Sequence, residues 1–273
     1  MVDSELDWRR RLSYDQSKLQ DYTDCARRFQ LRYLMEQAWP APLAEPLGDA
    51  ERADLLGQRF HRLVERYYLG IPIEPTRIDL ALRGWWEAFA ANPVPNLPTG
   101  KHMPEITVSA PIHGQRMTAT FDLLAYDPGG DTVIVDWKTT RRRSARSWLD
   151  TRLQTIVYPL LLMETSQRLL GYTLKPEQVR LVYWFANAPQ DVEVFQYSAA
   201  RRDQDHRVLA ALLDQVLTTD TDPWPLTANV QHCRLCQYRS LCNRGVEAGS
   251  FESIDSDEAS IAFEPLAPDD YVL

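Results

Sequence analysis

The sequence predicts an α/β fold in which a strand-rich middle lies between helical ends. Apolar residues recur at helical spacing before residue 92 and after residue 200. Extended runs fall within residues 103–198, and Gly- or Pro-rich turns separate them. With 273 residues and 44% hydrophobic content, the chain can build one full core and a helical appendage. No apolar run approaches the roughly 18 residues that a membrane helix needs, so a cytoplasmic protein without a membrane partner is expected.

In chain order, residues 13–36 read as one helix, with Leu19, Tyr22, Phe29 and Tyr33 at roughly helical spacing. A proline-rich loop follows (Pro40, Pro42, Pro46). Residues 50–70 form a second helix that sets His61 and Glu65 one turn apart on one face. Leu82, Trp85, Trp86 and Phe89 mark a third helix. Pro93, Pro95, Pro98 and Pro104 punctuate the entry to the sheet. Strands are expected from residue 105, over 117–126 and over 132–138. A helix over 145–170 follows, carrying Gln154 and Tyr158 on one face and Pro159 where it should kink. Strands at 179–186 and 192–197 and a helix over 201–217 lead into a cysteine-bearing segment.

The middle strands carry the chemistry. A hairpin about Asp127-Pro128-Gly129-Gly130-Asp131 places Asp122 opposite Asp136, and Lys138 shares the Asp136 face. Two carboxylates about 5 Å apart repel by roughly 3 kcal/mol at an effective dielectric near 20. A structural hairpin avoids that pairing. A divalent cation between them reverses the sign, so the arrangement reads as a metal site with a lysine beside it. A tight turn at His113-Gly114 brings Glu105 opposite Asp122, giving three acids in a row across three strands. A one-residue slip in either hairpin would move an acid to the other face.

The chain has four cysteines: Cys25, then Cys233-x-x-Cys236 and Cys242. With no secretory signal, structural disulfides are not expected. Cys-x-x-Cys brings two thiolates onto one metal centre, Cys242 is near enough to be a third ligand, and Cys25 would clasp the start of the chain to its end. Closing a loop that long is worth roughly 5 kcal/mol in the chain-entropy model. His232 adjoins Cys233 and could replace a ligand. Spacing alone admits either four-thiolate zinc or an iron–sulfur cluster.

Asp122…Asp136-Trp137-Lys138 resembles the motif of the PD-(D/E)XK nuclease superfamily. Gly57-x-x-x-His61 and Gln154-x-x-x-Tyr158 are similar to motifs of its RecB-like members. The split cysteines resemble the iron–sulfur branch, which includes AddB-type and CRISPR-associated RecB-like nucleases. The resemblance spans about residues 12–245 and departs from the family pattern at Ala26, where proline usually follows the first cysteine. It implies a restriction-endonuclease-like core, a mixed central sheet flanked by helices. The helical portion would cover about 50–92, the catalytic sheet about 103–198, and a four-cysteine [4Fe–4S] clasp would join the ends of a 1–245 nuclease domain.

The resemblance also implies roles. His61, Asp122, Asp136 and the Trp137 carbonyl would hold Mg²⁺ or Mn²⁺, oxygen-rich ligands suiting hard cations. Lys138 would orient the attacking water and stabilise the transition state, and Glu105 would assist a second metal or order outer waters. Gln154 and Tyr158 would support the lysine or touch DNA. The expected substrate is DNA, at single-stranded or frayed ends, in repair, recombination or CRISPR-type processing. No Walker-type phosphate loop occurs, so a helicase or integrase-type protein would be a separate partner. Rival readings are a non-catalytic iron–sulfur DNA-binding or scaffold subunit, and a redox sensor.

The net charge of −8 looks wrong for DNA until it is located. Eight acids and no Lys or Arg follow Arg244, so the body before them is neutral. Residues 246–273 thus form an acidic tail, read as a flexible solubilising segment, a competitor of DNA, or a docking segment for a basic partner. Arg141, Arg142, Arg143 and Arg146 form a local basic patch after Lys138 that could contact phosphates.

Overall fold

The computed structural model describes residues 12–37, 45–140, 143–234 and 236–247, with backbone alone over 45–51. The first helix is shorter than its periodicity predicts. Helix α1 spans Gln16–Asp24, capped by the Asp15 carboxylate accepting from the Lys18 N–H at 2.7 Å. Cys25 then adopts an extended conformation (φ −164°, ψ 106°) and breaks the helix. Its N–H closes α1 on the Asp21 carbonyl, and its own carbonyl accepts from Arg28 and Phe29 to open α2, Ala26–Phe29. A π-helical turn, Gln30–Leu34, follows. One apolar stripe therefore runs across two helices, which is why spacing alone does not reveal the break.

Helix α3 spans Glu45–Tyr68 and starts earlier than expected. Pro46 lies in its first turn, where a missing N–H has no intrahelical partner to lose; Pro40 and Pro42 lie outside the described residues. Helix α4, Leu80–Ala91, starts at an Asp79 cap. Five strands follow: β1 Lys101–Ile112, β2 Gln115–Tyr126, β3 Thr132–Lys138, β4 Val179–Phe185 and β5 Glu193–Gln196. They form one sheet in the order β1-β2-β3-β4-β5, with β3 and β4 parallel and the other pairs antiparallel. The parallel crossover runs through α5, Arg146–Leu149, and α6, Leu153–Leu170, which continues through Pro159. Helix α7, Ala199–Thr218, and the short α8, Arg239–Cys242, end the described chain. The acidic tail from residue 248 onward lies outside the described residues.

Both sheet faces are covered. Leu160, Leu161 and Leu162 of α6 pack with Leu19, Phe29, Ile134 and Tyr183 in one core, while Phe60, Val64, Phe89, Trp137 and Trp184 form the other. Helices on two faces explain why β3 is buried along nearly its whole length.

The two hairpin registers match the expected ones. His113 and Gly114 both have positive φ (48° and 72°), as a two-residue hairpin turn between Ile112 and Gln115 requires. The β1–β2 ladder then runs to Lys101↔Tyr126 with one gap, the Glu105–Asp122 position. At that gap both strands change face. Residues of β1 in the α6-side core are even-numbered on one side (Val108, Ala110, Ile112), whereas odd-numbered Met103 packs there on the other. In β2 odd-numbered Met117, Ala119 and Phe121 give way to even-numbered Leu124 and Tyr126. Glu105 supplies the break through a left-handed backbone, φ 48°. Both strands shift phase together, so the register survives.

Candidate active site

The site gathers where β2 and β3 diverge, between α3 and α6. The β2–β3 ladder ends at Leu123↔Val135, one position before Asp122 and Asp136. There the Asp122 side chain replaces the ladder, its Oδ2 accepting from the Trp137 N–H at 2.8 Å. Repulsion between the acids is met by partners on either side. Lys138 Nζ lies 2.9 Å from Asp136 Oδ2, and His61 Nδ1 lies 3.4 Å from Asp122 Oδ1.

Helix α3 supplies His61, and Gly57 lets that helix come close. A Cβ at Gly57 would stand 2.8 Å from Thr139 Oγ1, inside contact distance. His61 Nε2 lies 2.9 Å from the Trp137 carbonyl, which can only accept, so Nε2 carries the hydrogen. That leaves Nδ1 facing Asp122. Burial opposes a charged His61, but Asp122, helped by Asp136 and Glu105, overrides it and pushes the pKa up to about 9. For Glu105, burial and then Asp122 push the carboxyl up to about 7. Burial also raises Asp136, against the pull of Lys138.

Helix α6 closes the other side. Gln154 Oε1 accepts from Lys138 Nζ at 2.8 Å while its Nε2 donates to Asp136 Oδ1. The Lys138 ammonium also sits 5.4 Å from the centre of the Tyr183 ring. Tyr158, one turn beyond Gln154, is buried against Phe121 (ring centroids 5.1 Å apart), and burial raises its pKa. Its hydroxyl lies 3.4 Å from Gln16 Nε2, so Tyr158 ties α6 to α1.

Two of the expected metal ligands, His61 and Asp122, offer donor atoms within 4.8 Å of each other and of a carboxylate oxygen of Glu105. One imidazole and two carboxylates suit a hard divalent cation. Asp136 is instead engaged by Lys138 and Gln154, and the Trp137 carbonyl by His61. Glu105, expected to assist a second metal or order outer waters, stands inside this triad.

The basic patch is differently disposed than its sequence suggests. Arg141 and Arg142 lie outside the described residues. Arg143 and Arg146 both pair with Glu193 of β5, Arg146 at 2.8 Å, and Arg146 lies over the Phe195 ring at 4.3 Å. Glu193 is 7% exposed, and nothing in the sequence marks it. Thr139 is likewise recognisable only once Gly57 is seen against it.

The four cysteines come together around one cavity. Cys25, Cys233, Cys236 and Cys242 line one cavity of about 390 Å³, including its solvent-open part, together with Arg28, His232, Arg239 and Arg244. All four are free thiols. Among the described residues, only His61, Glu105 and Asp122 bring three donor atoms mutually within 4.8 Å. His232 turns away, its Nδ1 3.0 Å from the Asp24 carbonyl.

The fold is an α/β sandwich around a five-stranded mixed sheet with a candidate acidic metal site, and comparison makes the class specific. The family model of the PD-(D/E)XK nuclease superfamily matches residues 13–102 and 90–243. The chain belongs to that superfamily. A solved structure of a candidate exonuclease from Eubacterium rectale is similar at a TM-score of 0.51 and 11% identity, over 87% of this chain and 90% of that one. The crystal structure of SSO0001 aligns at a TM-score of 0.45 and 15% identity, over 86% and 87% of the two chains. No curated protein matches the sequence.

Proposed function

We propose that the chain is a Mg²⁺- or Mn²⁺-dependent deoxyribonuclease, an exonuclease acting on single-stranded or frayed DNA ends. The carrying observation is the meeting of Lys138, Asp136 and Gln154 beside the His61–Glu105–Asp122 triad, in a chain of this superfamily. The exonuclease description of the Eubacterium rectale protein agrees with that reading.

His61, Glu105 and Asp122 would hold the cation, with Asp136 adjoining it. The cation would supply Lewis acidity and lower the pKa of a bound water. Lys138 donates to Gln154 and lies against Asp136, so its charge is held where negative charge develops on a phosphoryl oxygen. Gln154 bridges the two and fixes their spacing. His61, anchored on the Trp137 carbonyl, keeps Nδ1 directed at Asp122.

The four-cysteine cavity would hold a [4Fe–4S] cluster, as in the RecB-like iron–sulfur branch. The donor set, four free thiols around one cavity, fits such a cluster, and the resemblance favours it over a single zinc. A cytoplasmic setting and a helicase or integrase-type partner belong to the same reading. End-labelled single- and double-stranded DNA with Mg²⁺ or Mn²⁺ provides the test, with Lys138→Ala as control. Cleavage that requires both the metal and Lys138 is expected; no cleavage of either substrate by the wild type overturns the proposal.

A further inference from the structure

We propose that Arg244 tunes the reduction potential of the cysteine-bound cluster. The inference rests on the iron–sulfur reading above and goes beyond it in assigning a residue to the electronic behaviour of the group. Arg244 Nη1 donates to the Cys233 sulfur at 3.7 Å and to the Thr227 carbonyl at 2.7 Å. The carbonyl anchors the guanidinium, so the contact with sulfur is set by the backbone.

Other arginines line the cavity, and their partners separate them from Arg244. Arg28 is 6% exposed, and both its salt bridges, to Asp21 and Asp24 at 2.8 Å, neutralise its charge. Arg239 donates to the Arg234 carbonyl at 3.1 Å. Arg244 contacts a sulfur directly, and among the described residues it meets no carboxylate. Among the described residues its charge is therefore uncompensated beside the sulfur of Cys233.

Four thiolates on a [4Fe–4S]²⁺ core carry two net negative charges, and one-electron reduction adds a third. A fixed cation beside a ligand sulfur favours the more negative state, and an N–H···S bond withdraws charge from that sulfur. Both effects raise the potential. A closed zinc site would accept the same hydrogen bond without any redox consequence, which makes the potential the discriminating quantity.

The test uses the full chain, purified anaerobically, as wild type, Arg244→Gln and Arg244→Lys. Iron is counted, and dithionite, the one-electron source, is titrated while the reduced cluster is followed by electron paramagnetic resonance. The expected result is equal iron in all three, a midpoint more negative in Arg244→Gln, and an intermediate midpoint in Arg244→Lys, which keeps the charge but not the planar fork. Equal iron with three equal midpoints overturns the proposal and leaves the cluster reading standing. If Arg244→Gln does not retain iron, Arg244→Lys decides: a midpoint below the wild type supports tuning, and an equal one overturns it. Stoichiometric zinc in the wild type removes the cluster reading, and this proposal with it.

Discussion

Gly57→Ala should separate stability from activity. The added Cβ would stand 2.8 Å from Thr139 Oγ1, and ordinary contact begins near 3.4 Å, so about half an ångström must be recovered. Thr139 is β-branched and stiff about χ1, which directs the movement into α3. His61 lies one helical turn further along, and its 2.9 Å contact with the Trp137 carbonyl stretches toward the limit of a hydrogen bond. Misplacement of about 1 Å can cost about 100-fold in rate, so half of that should cost roughly 10-fold. Alanine meanwhile gains up to about 1 kcal/mol of helix propensity over glycine, which offsets the strain. The expected variant melts near the wild-type temperature, needs more Mg²⁺ and cleaves about 10-fold more slowly. Thr139→Ala removes Oγ1, and the next atom, Thr139 Cβ, is 3.9 Å away, so the double variant should recover. Full activity in Gly57→Ala alone would refute the reasoning, because Thr139 would then yield without moving His61.

Three further outcomes are expected. Asp136→Ala and Lys138→Ala should abolish cleavage with little change in melting. Asp122→Ala should lower the melting temperature as well, since it strands the Trp137 N–H at a cost of about 1–3 kcal/mol; unchanged melting would show that water or another group takes its place. Glu105 and His61 both titrate higher in the folded state. The stability they lend the metal-free protein is complete below about pH 4.5 for Glu105 and lost through about 7, and complete below 6.5 for His61 and lost through about 9. Mg²⁺ competes with those protons, so its thermal stabilisation should be larger at pH 9 than at pH 6; equal shifts at the two values would exclude His61 and Glu105 as ligands. Glu193→Gln should free Arg143 and Arg146, tightening DNA binding and steepening its salt dependence; weaker binding would mean that Glu193 positions the arginines for phosphate.

Most of the strand pairing was legible because turns and alternation specify register. The 127–131 turn and His113-Gly114 were enough to place Glu105, Asp122 and Asp136 on neighbouring positions. The helix boundaries were less legible: Cys25 interrupts a periodic stripe whose residues stay buried on both sides. The division of labour among the acids was hidden for a different reason. Strand alternation already set Lys138 beside Asp136, but which acids join the histidine depends on Gln154, Trp137 and the left-handed Glu105, all tertiary contacts without a local pattern. The arginines looked like free phosphate contacts because Glu193 lies 47 residues from Arg146.

The change of face at Glu105 and Asp122 has a consequence for how this hairpin tolerates sequence change. An ordinary antiparallel pair can slide by two residues and still present its apolar side chains to the same core. Here each strand reverses face at one position, and the two reversals must coincide. A two-residue slide would set Glu105 against Thr120 or Leu124 and leave a stretch in which one strand points its apolar residues away from its neighbour's. The Glu105–Asp122 pair thus acts as an indexing pin for the hairpin. A single-residue deletion on one strand should scramble the assembly even far from the site, whereas lengthening the His113-Gly114 turn by a few residues should be borne, because the pin rather than the turn holds the register.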